Sequence, residues 1–132
     1  MVLIKMLEIL QARNKENYRE KISQLNLDFK STFVVEATDE GNSLGYGIYH
    51  FAVDEDYTPI VEIDYVFDNS DILLLDGIIR SILFLAMMRQ VDKAKFGLAQ
   101  TDEIAKLGFV QNNYNYLDSI AKFMSKCKSC KN

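Results

Sequence analysis

The stretch VFDNSDILLLDGIIRSILFLAMM, Val66 to Met88, decides how this chain is read. It leaves a segment rich in β-branched and aromatic residues, passes through a short acidic turn and enters a long apolar helix, Ile72 to Met88. A helix start that follows a strand often holds an anion, because its free backbone N–H groups and its dipole both favour negative charge. Here Asp68, Asp71 and Asp76 fill that place, and Asn69, Ser70 or Asp71 can each serve as N-cap. The turn therefore reads as one that satisfies its own helix. Asp76 and Arg80 stand at the i, i+4 spacing of a helical ion pair. They interrupt a helix that is otherwise apolar nearly all round, which predicts a buried core helix, with Met87 and Met88 as core filler, and not a bilayer span.

Upstream of this stretch lie three strand-like runs, Ser31 to Thr38, Leu44 to Val53 and Pro59 to Phe67, rich in Val, Ile, Tyr and Phe. DEGNS and DEDYT join them as hairpin loops, so the middle third reads as an antiparallel meander. Pro59 stands where a strand accepts proline, at its first residue. Residues 2 to 10 read as a further strand, with a helical reading also open, and Tyr18, Ile22 and Leu25 mark a surface helix from about Asn14 to Leu25. Downstream, KAKFGLA predicts a short strand and Asp102 to Leu107 a short helix stopped by Gly108. Phe109 to Asn112 and Tyr114 to Tyr116 are expected to pair around Asn113. Leu117, Ile120, Met124 and Cys127 recur at helical spacing, predicting a terminal helix.

With 132 residues, 48% of them hydrophobic, the chain is expected to form one domain, residues 1–132, with a core of its own. The opening MVLIKMLEIL is interrupted by Lys5 and Glu8 and is too short to span a bilayer. A cytoplasmic protein without a membrane segment is expected. The net charge of −4 argues against a nucleic-acid binder that tracks phosphates. No Lys or Arg occurs between Ser31 and Ile79, while Glu36, Asp39, Glu40, Asp54, Glu55, Asp56, Glu62, Asp64, Asp68, Asp71 and Asp76 all fall there. Two readings stand: solvated loops, or a negative field that draws a cationic small molecule or a basic protein partner.

Alternate residues of a strand share a face. In PIVEIDYVF, Val61, Ile63, Tyr65 and Phe67 make one face and leave Glu62 and Asp64 on the other; in GYGIYHF, Tyr46, Ile48 and His50 share a face. If DEDYT pairs Val53 with Pro59, His50 lies opposite Glu62 and Ile48 opposite Asp64. A carboxylate beside an imidazole can be tuned for proton transfer near neutral pH, although a solvated cross-strand pair has the same sequence signature. Cys127 and Cys130, in CKSC, form a C-x-x-C pair. One pair cannot complete a zinc site, so they read as a small core-facing residue and a tail thiol, with a homodimer sharing one metal between two pairs as the other option.

The order strand, helix, three antiparallel strands, long central helix, strand, short helix, strand beginning at Gly-Phe resembles the GNAT-type N-acetyltransferase fold. IAKLGF, Ile104 to Phe109, is similar to that family's Tyr-x-Lys-x-Gly-Phe stretch, and SLGYGIYHF, Ser43 to Phe51, to its glycine-containing strand. The resemblance implies an α/β (α+β) domain: a single mixed, largely antiparallel twisted sheet with helices on both faces. It further implies acetyl-CoA as cofactor, an amine as acceptor, Glu62 as general base with His50 and Asp64 assisting, and backbone at Val66 and Phe67 receiving the thioester arm. The family grips the coenzyme's diphosphate with Arg/Gln-x-x-Gly-x-Gly/Ala at the central helix. If Gly77 fills its last position, Ile72 replaces the basic residue and Leu75 the first glycine, so that Leu75, Gly77 and Ile78 would form the cradle. Ile104 stands where the family's tyrosine protonates the departing thiolate, leaving Tyr114 or Tyr116 as substitutes. Two functions are therefore expected: a divergent amine N-acetyltransferase, or a non-catalytic module that kept the fold and lost the diphosphate loop.

Overall fold

The computed structural model describes residues 7–110 and 115–125. Six strands form one sheet in the order β1-β2-β3-β4-β5-β6: β1 Leu7–Gln11, β2 Thr32–Asp39, β3 Asn42–Val53, β4 Pro59–Phe67, β5 Ala94–Phe96 and β6 Tyr116–Leu117. Every neighbouring pair is antiparallel except β4–β5. Parallel neighbours need a crossover, and helix α2, Ile72–Met88, supplies it. The other helices are α1, Arg19–Gln24, led by a 3-10 turn at Lys15–Tyr18, then α3, Thr101–Lys106, and α4, Ile120–Ser125. This is the mixed, largely antiparallel α+β architecture expected. Among the described residues no helix is long and apolar enough to cross a membrane.

Adjacent valines on β2 show how the sheet separates two cores. Val35 packs with α2 in a large cluster that takes in Ile104, Phe109, Ile120 and Phe123, whereas Val34 packs with Ile22 of α1 and Ile48 on the opposite side. Helix α2 meets the sheet along Leu74, Leu75, Ile78, Ile79, Ile82, Leu83 and Ala86, a stripe of helical period. Each buried leucine or isoleucine is worth about 1.5–3 kcal/mol, so the stripe fixes where the helix lies. It is not buried all round: Leu73, Phe84 and Met88 are 76%, 52% and 68% exposed, so Met88 is not core filler. Gly45 and Gly47 on β3 admit this close approach. A Cβ at Gly47 would stand 2.7 Å from Ile78 Cγ2, and one at Gly45 2.4 Å from the Phe67 carbonyl oxygen.

The Gly-Phe pair has a structural account as well. Gly108, at φ +90°, turns the chain out of α3, and Phe109 drops into the core against Phe96 and Phe123. Phe109 and Val110 therefore do not begin a strand, contrary to expectation; the rest of the expected pairing around Asn113, at residues 111–114, lies outside the described residues. Strand β6 pairs with β5, Ala94 facing Leu117 and Lys95 facing Tyr116. Leu117 thus belongs to a strand, and the terminal helix begins at Ile120. Cys127 and Cys130 also lie outside the described residues, as does the part of the first strand expected before Leu7.

Candidate functional site

His50, Glu62 and Asp64 come together through a register shift. The β3–β4 hairpin closes at Val53↔Pro59 and sets His50 opposite Glu62, as the spacing predicted. Between Ile48 and Tyr49 the ladder slips by one residue, so that Tyr49 faces Ile63 and Ile48 faces Tyr65. Asp64 is the extra residue of a β-bulge. It does not face Ile48; it reaches the imidazole, with His50 Nδ1 2.7 Å from Asp64 Oδ2. The other ring nitrogen, Nε2, is 3.5 Å from Glu62 Oε2. The three side chains are 22%, 28% and 16% exposed, so each is mostly sheltered and still reached by solvent. The hydrogen bond to Asp64 raises the His50 pKa above 6.5, overcoming the opposing effect of burial, and the charges of Asp64 and Glu62 add to it.

The bulge also corrects the facing of the strand's second half. Val61, Ile63 and Val66 enter the core under α2, while Tyr65 joins the other face with Tyr46. Tyr46 lies 4.6 Å from Tyr18, 5.8 Å from Tyr65 and 6.0 Å from Phe67 between ring centroids. Tyr18 donates a hydrogen bond to Glu36, and burial together with that carboxylate pushes its pKa up. Lys21 of α1 sets its Nζ 4.0 Å from the centre of the Tyr65 ring. This aromatic wall on the face of the His50 cluster was missed in sequence because the bulge reverses Tyr65; Tyr46, two positions from Ile48, was the available signal.

Strands β4 and β5 pair only from Val61↔Ala94 to Ile63↔Phe96, closed by Gly97 N–H donating to the Ile63 carbonyl at 2.9 Å. Beyond that point β4 runs on to Phe67 while the segment after β5 turns toward α3, leaving a notch. The Val66 side chain is buried and Phe67 is 44% exposed. The Val66 carbonyl accepts a hydrogen bond from Gln100 Nε2 at 2.9 Å, with Asp68 Oδ2 3.4 Å from the same nitrogen. Ile104, where the resemblance places a tyrosine, is a core residue at 1% exposure. Tyr116 sits on β6 with Lys93 Nζ 4.9 Å above its ring, and Tyr114 lies outside the described residues.

At the start of α2 the chain answers its own polar groups. Asp68 accepts from Ser70 N–H, and Asn69 and Ser70 take φ of 53° and 58°. Asp71 is the N-cap: its Oδ1 accepts from Leu73 N–H at 2.9 Å and Leu74 N–H at 3.3 Å, and its carbonyl accepts from Leu75 N–H. Leu75 and Ile78 are fully buried, and Gly77 lies against Ile9 of β1, 3.0 Å from where its Cβ would be. Asp76 takes Arg80 Nε through both carboxylate oxygens. A diphosphate approaching Leu75 to Ile78 would meet carboxylates and amides already engaged. These residues do not fit the diphosphate of coenzyme A.

No family model matches the sequence, and no curated protein matches it by sequence. Solved structures do match in shape. An aminoglycoside N-acetyltransferase in complex with CoA is similar at a TM-score of 0.62 and 13% identity, over 86% of this chain and 93% of that one. A chain of the KacTA–DNA complex is similar at 0.61 and 14%, over 91% and 99%. Ribosomal-protein-alanine N-acetyltransferase from Brucella melitensis biovar Abortus 2308 is similar at 0.59 and 11%, over 84% and 95%. Likeness at such identities speaks for architecture alone. With the meander, the crossover helix and the notch between β4 and β5, it establishes that this chain has the GNAT acyl-CoA N-acyltransferase-like fold.

Proposed function

We propose that the protein is a GNAT-fold binding module that holds a cationic amine, either a small molecule or a lysine of a basic protein partner, on the face carrying His50, Glu62, Asp64, Tyr46 and Tyr65. The observation that carries this reading is the pairing of chemistries on that face. Two carboxylates share that face with a wall of tyrosines, and an ammonium already rests on that wall, Lys21 Nζ at 4.0 Å from the Tyr65 ring. Carboxylates and aromatic faces both attract ammonium groups. The acidic middle of the chain adds a field of the same sign. Because Asp71 holds the amides at the start of α2, coenzyme A is not gripped there.

A second reading, amine N-acetyltransferase, is favoured by the position of Glu62 one residue before the β4–β5 pairing ends, where it could take a proton from an ammonium while Asp64 holds His50 in orientation. Backbone at Val66 and Phe67 would then receive the arm of acetyl-CoA once Gln100 has given up the Val66 carbonyl. Calorimetry with acetyl-CoA and, separately, with a short aliphatic diamine tests the two. Saturable heat with the diamine and silence with acetyl-CoA is the expected result. Micromolar acetyl-CoA binding, with amine turnover that Glu62→Gln abolishes while the fold stays intact, would replace the module by the enzyme.

A further inference from the structure

Among the described residues, His50, Glu62 and Asp64 are a group of three potential metal donors whose ligand atoms lie within 4.8 Å of one another. The two sides of the imidazole are not equivalent. At 2.7 Å the Nδ1···Asp64 contact is a short charge-assisted hydrogen bond, which assigns the ring proton to Nδ1 and leaves the Nε2 lone pair facing Glu62. At 3.5 Å the Nε2···Glu62 Oε2 separation is longer than the roughly 2.7–3.2 Å of a good N–H···O bond. It matches another distance. Two ligands about 2.0–2.2 Å from one tetrahedral ion stand about 3.4 Å apart.

From this we infer that His50 Nε2 and Glu62 form the protein half of a divalent metal site of the zinc class, with Asp64 behind the ring. A carboxylate on the far nitrogen of a ligating histidine fixes its tautomer, aims the lone pair and makes the imidazole more basic. Imidazole with carboxylate is a donor set suited to zinc and its neighbours, and not to magnesium or calcium, which take oxygen. Among the described residues no Lys or Arg forms an ion pair with Glu62 or Asp64, Lys95 being the register partner of Glu62 without pairing to it, so a cation entering the site breaks no ion pair. The open face leaves two coordination positions to water or to a donor brought by a ligand. The inference does not depend on the amine or acyl-transfer readings, because its test uses the metal alone.

The chain contains one histidine, so its imidazole protons give an unambiguous NMR signal. Zinc chloride is titrated into the Cys127→Ser/Cys130→Ser protein, which removes the C-x-x-C thiols as competing donors. The His50 ring resonances should shift with saturation at one equivalent per chain, and cobalt(II) in place of zinc should displace them paramagnetically. By calorimetry Glu62→Gln should lose saturable binding, and Asp64→Asn should weaken it by about 10- to 100-fold. Ring resonances unmoved by an equivalent of zinc, or binding undiminished in Glu62→Gln, would overturn the assignment. The NMR arm needs no change at the site itself, so a variant that fails to fold leaves it decisive.

Discussion

Asp71 is the residue through which this helix start can be taken apart. In Asp71→Ala the N–H groups of Leu73 and Leu74 lose the carboxylate they now share. Loss of such a cap costs about 1 kcal/mol, within a range of about 0.5–2. Removing a negative charge from the positive end of the helix dipole costs a further 0.3–1 kcal/mol or so. Taken together, the loss is about 1.5 kcal/mol. Unfolding entropy of about 2.1 cal/mol/K per residue gives about 0.28 kcal/mol/K for 132 residues, so the melting temperature should fall by about 5 °C. Asp71→Asn keeps the acceptor and loses only the charge, and should fall by about 2 °C. Differential scanning calorimetry reads both. Phosphate should then raise the melting temperature of Asp71→Ala more than that of the parent, since an anion can take the vacated place on the amides. An Ala variant that melts with the parent, or an Asn variant that falls as far as Ala, would refute the claim that this side chain is what fills the helix start.

Two further outcomes follow from side chains already placed. The folded-state pKa of His50 lies above 6.5, so its ion pairs contribute stability that is fully present below the unfolded pKa and is lost as pH rises through the folded value. The NMR titration midpoint should therefore exceed 6.5 and return toward it in Asp64→Asn; a parent midpoint at or below 6.5 contradicts the geometry. Among the glycines of β3, Gly47→Ala meets the branch methyl Cγ2 of Ile78 and the Cδ1 tip of Ile82, side-chain atoms that yield by small shifts of α2, and should cost about 1–3 kcal/mol by urea denaturation. Gly45→Ala meets the Phe67 backbone carbonyl, which has less room to yield, and should cost more. The reverse order would mean that α2, not the sheet, is the rigid partner.

How much of this was legible in the sequence depends on the range of the interaction that decides each feature. The strand Pro59–Phe67 and the helix Ile72–Met88 begin and end as read, because local patterns set them: an unbroken β-branched run, an acidic cap and an apolar helical stripe. The His50–Glu62 pairing was legible too, since a short hairpin loop fixes register close to the turn. Two residues further along β4, at Asp64, the same logic failed. A strict period of two assigns Tyr65 and Phe67 to the face of Val61, and nothing local in EIDYV announces an inserted residue. What decides it is tertiary. Val66 fills the core beneath α2, at 2% exposure, only if the strand gains one residue between Ile63 and Tyr65. A regular strand would turn Val66 out to solvent and bring the Tyr65 ring beneath the helix. The site is shaped by that same extra residue: without the bulge Asp64 would stand opposite Ile48, only a diagonal neighbour of His50, whereas the bulge sets its carboxylate 2.7 Å from the ring nitrogen. The packing of α2 on β4 and the chemistry on the opposite face are thus set by one register shift.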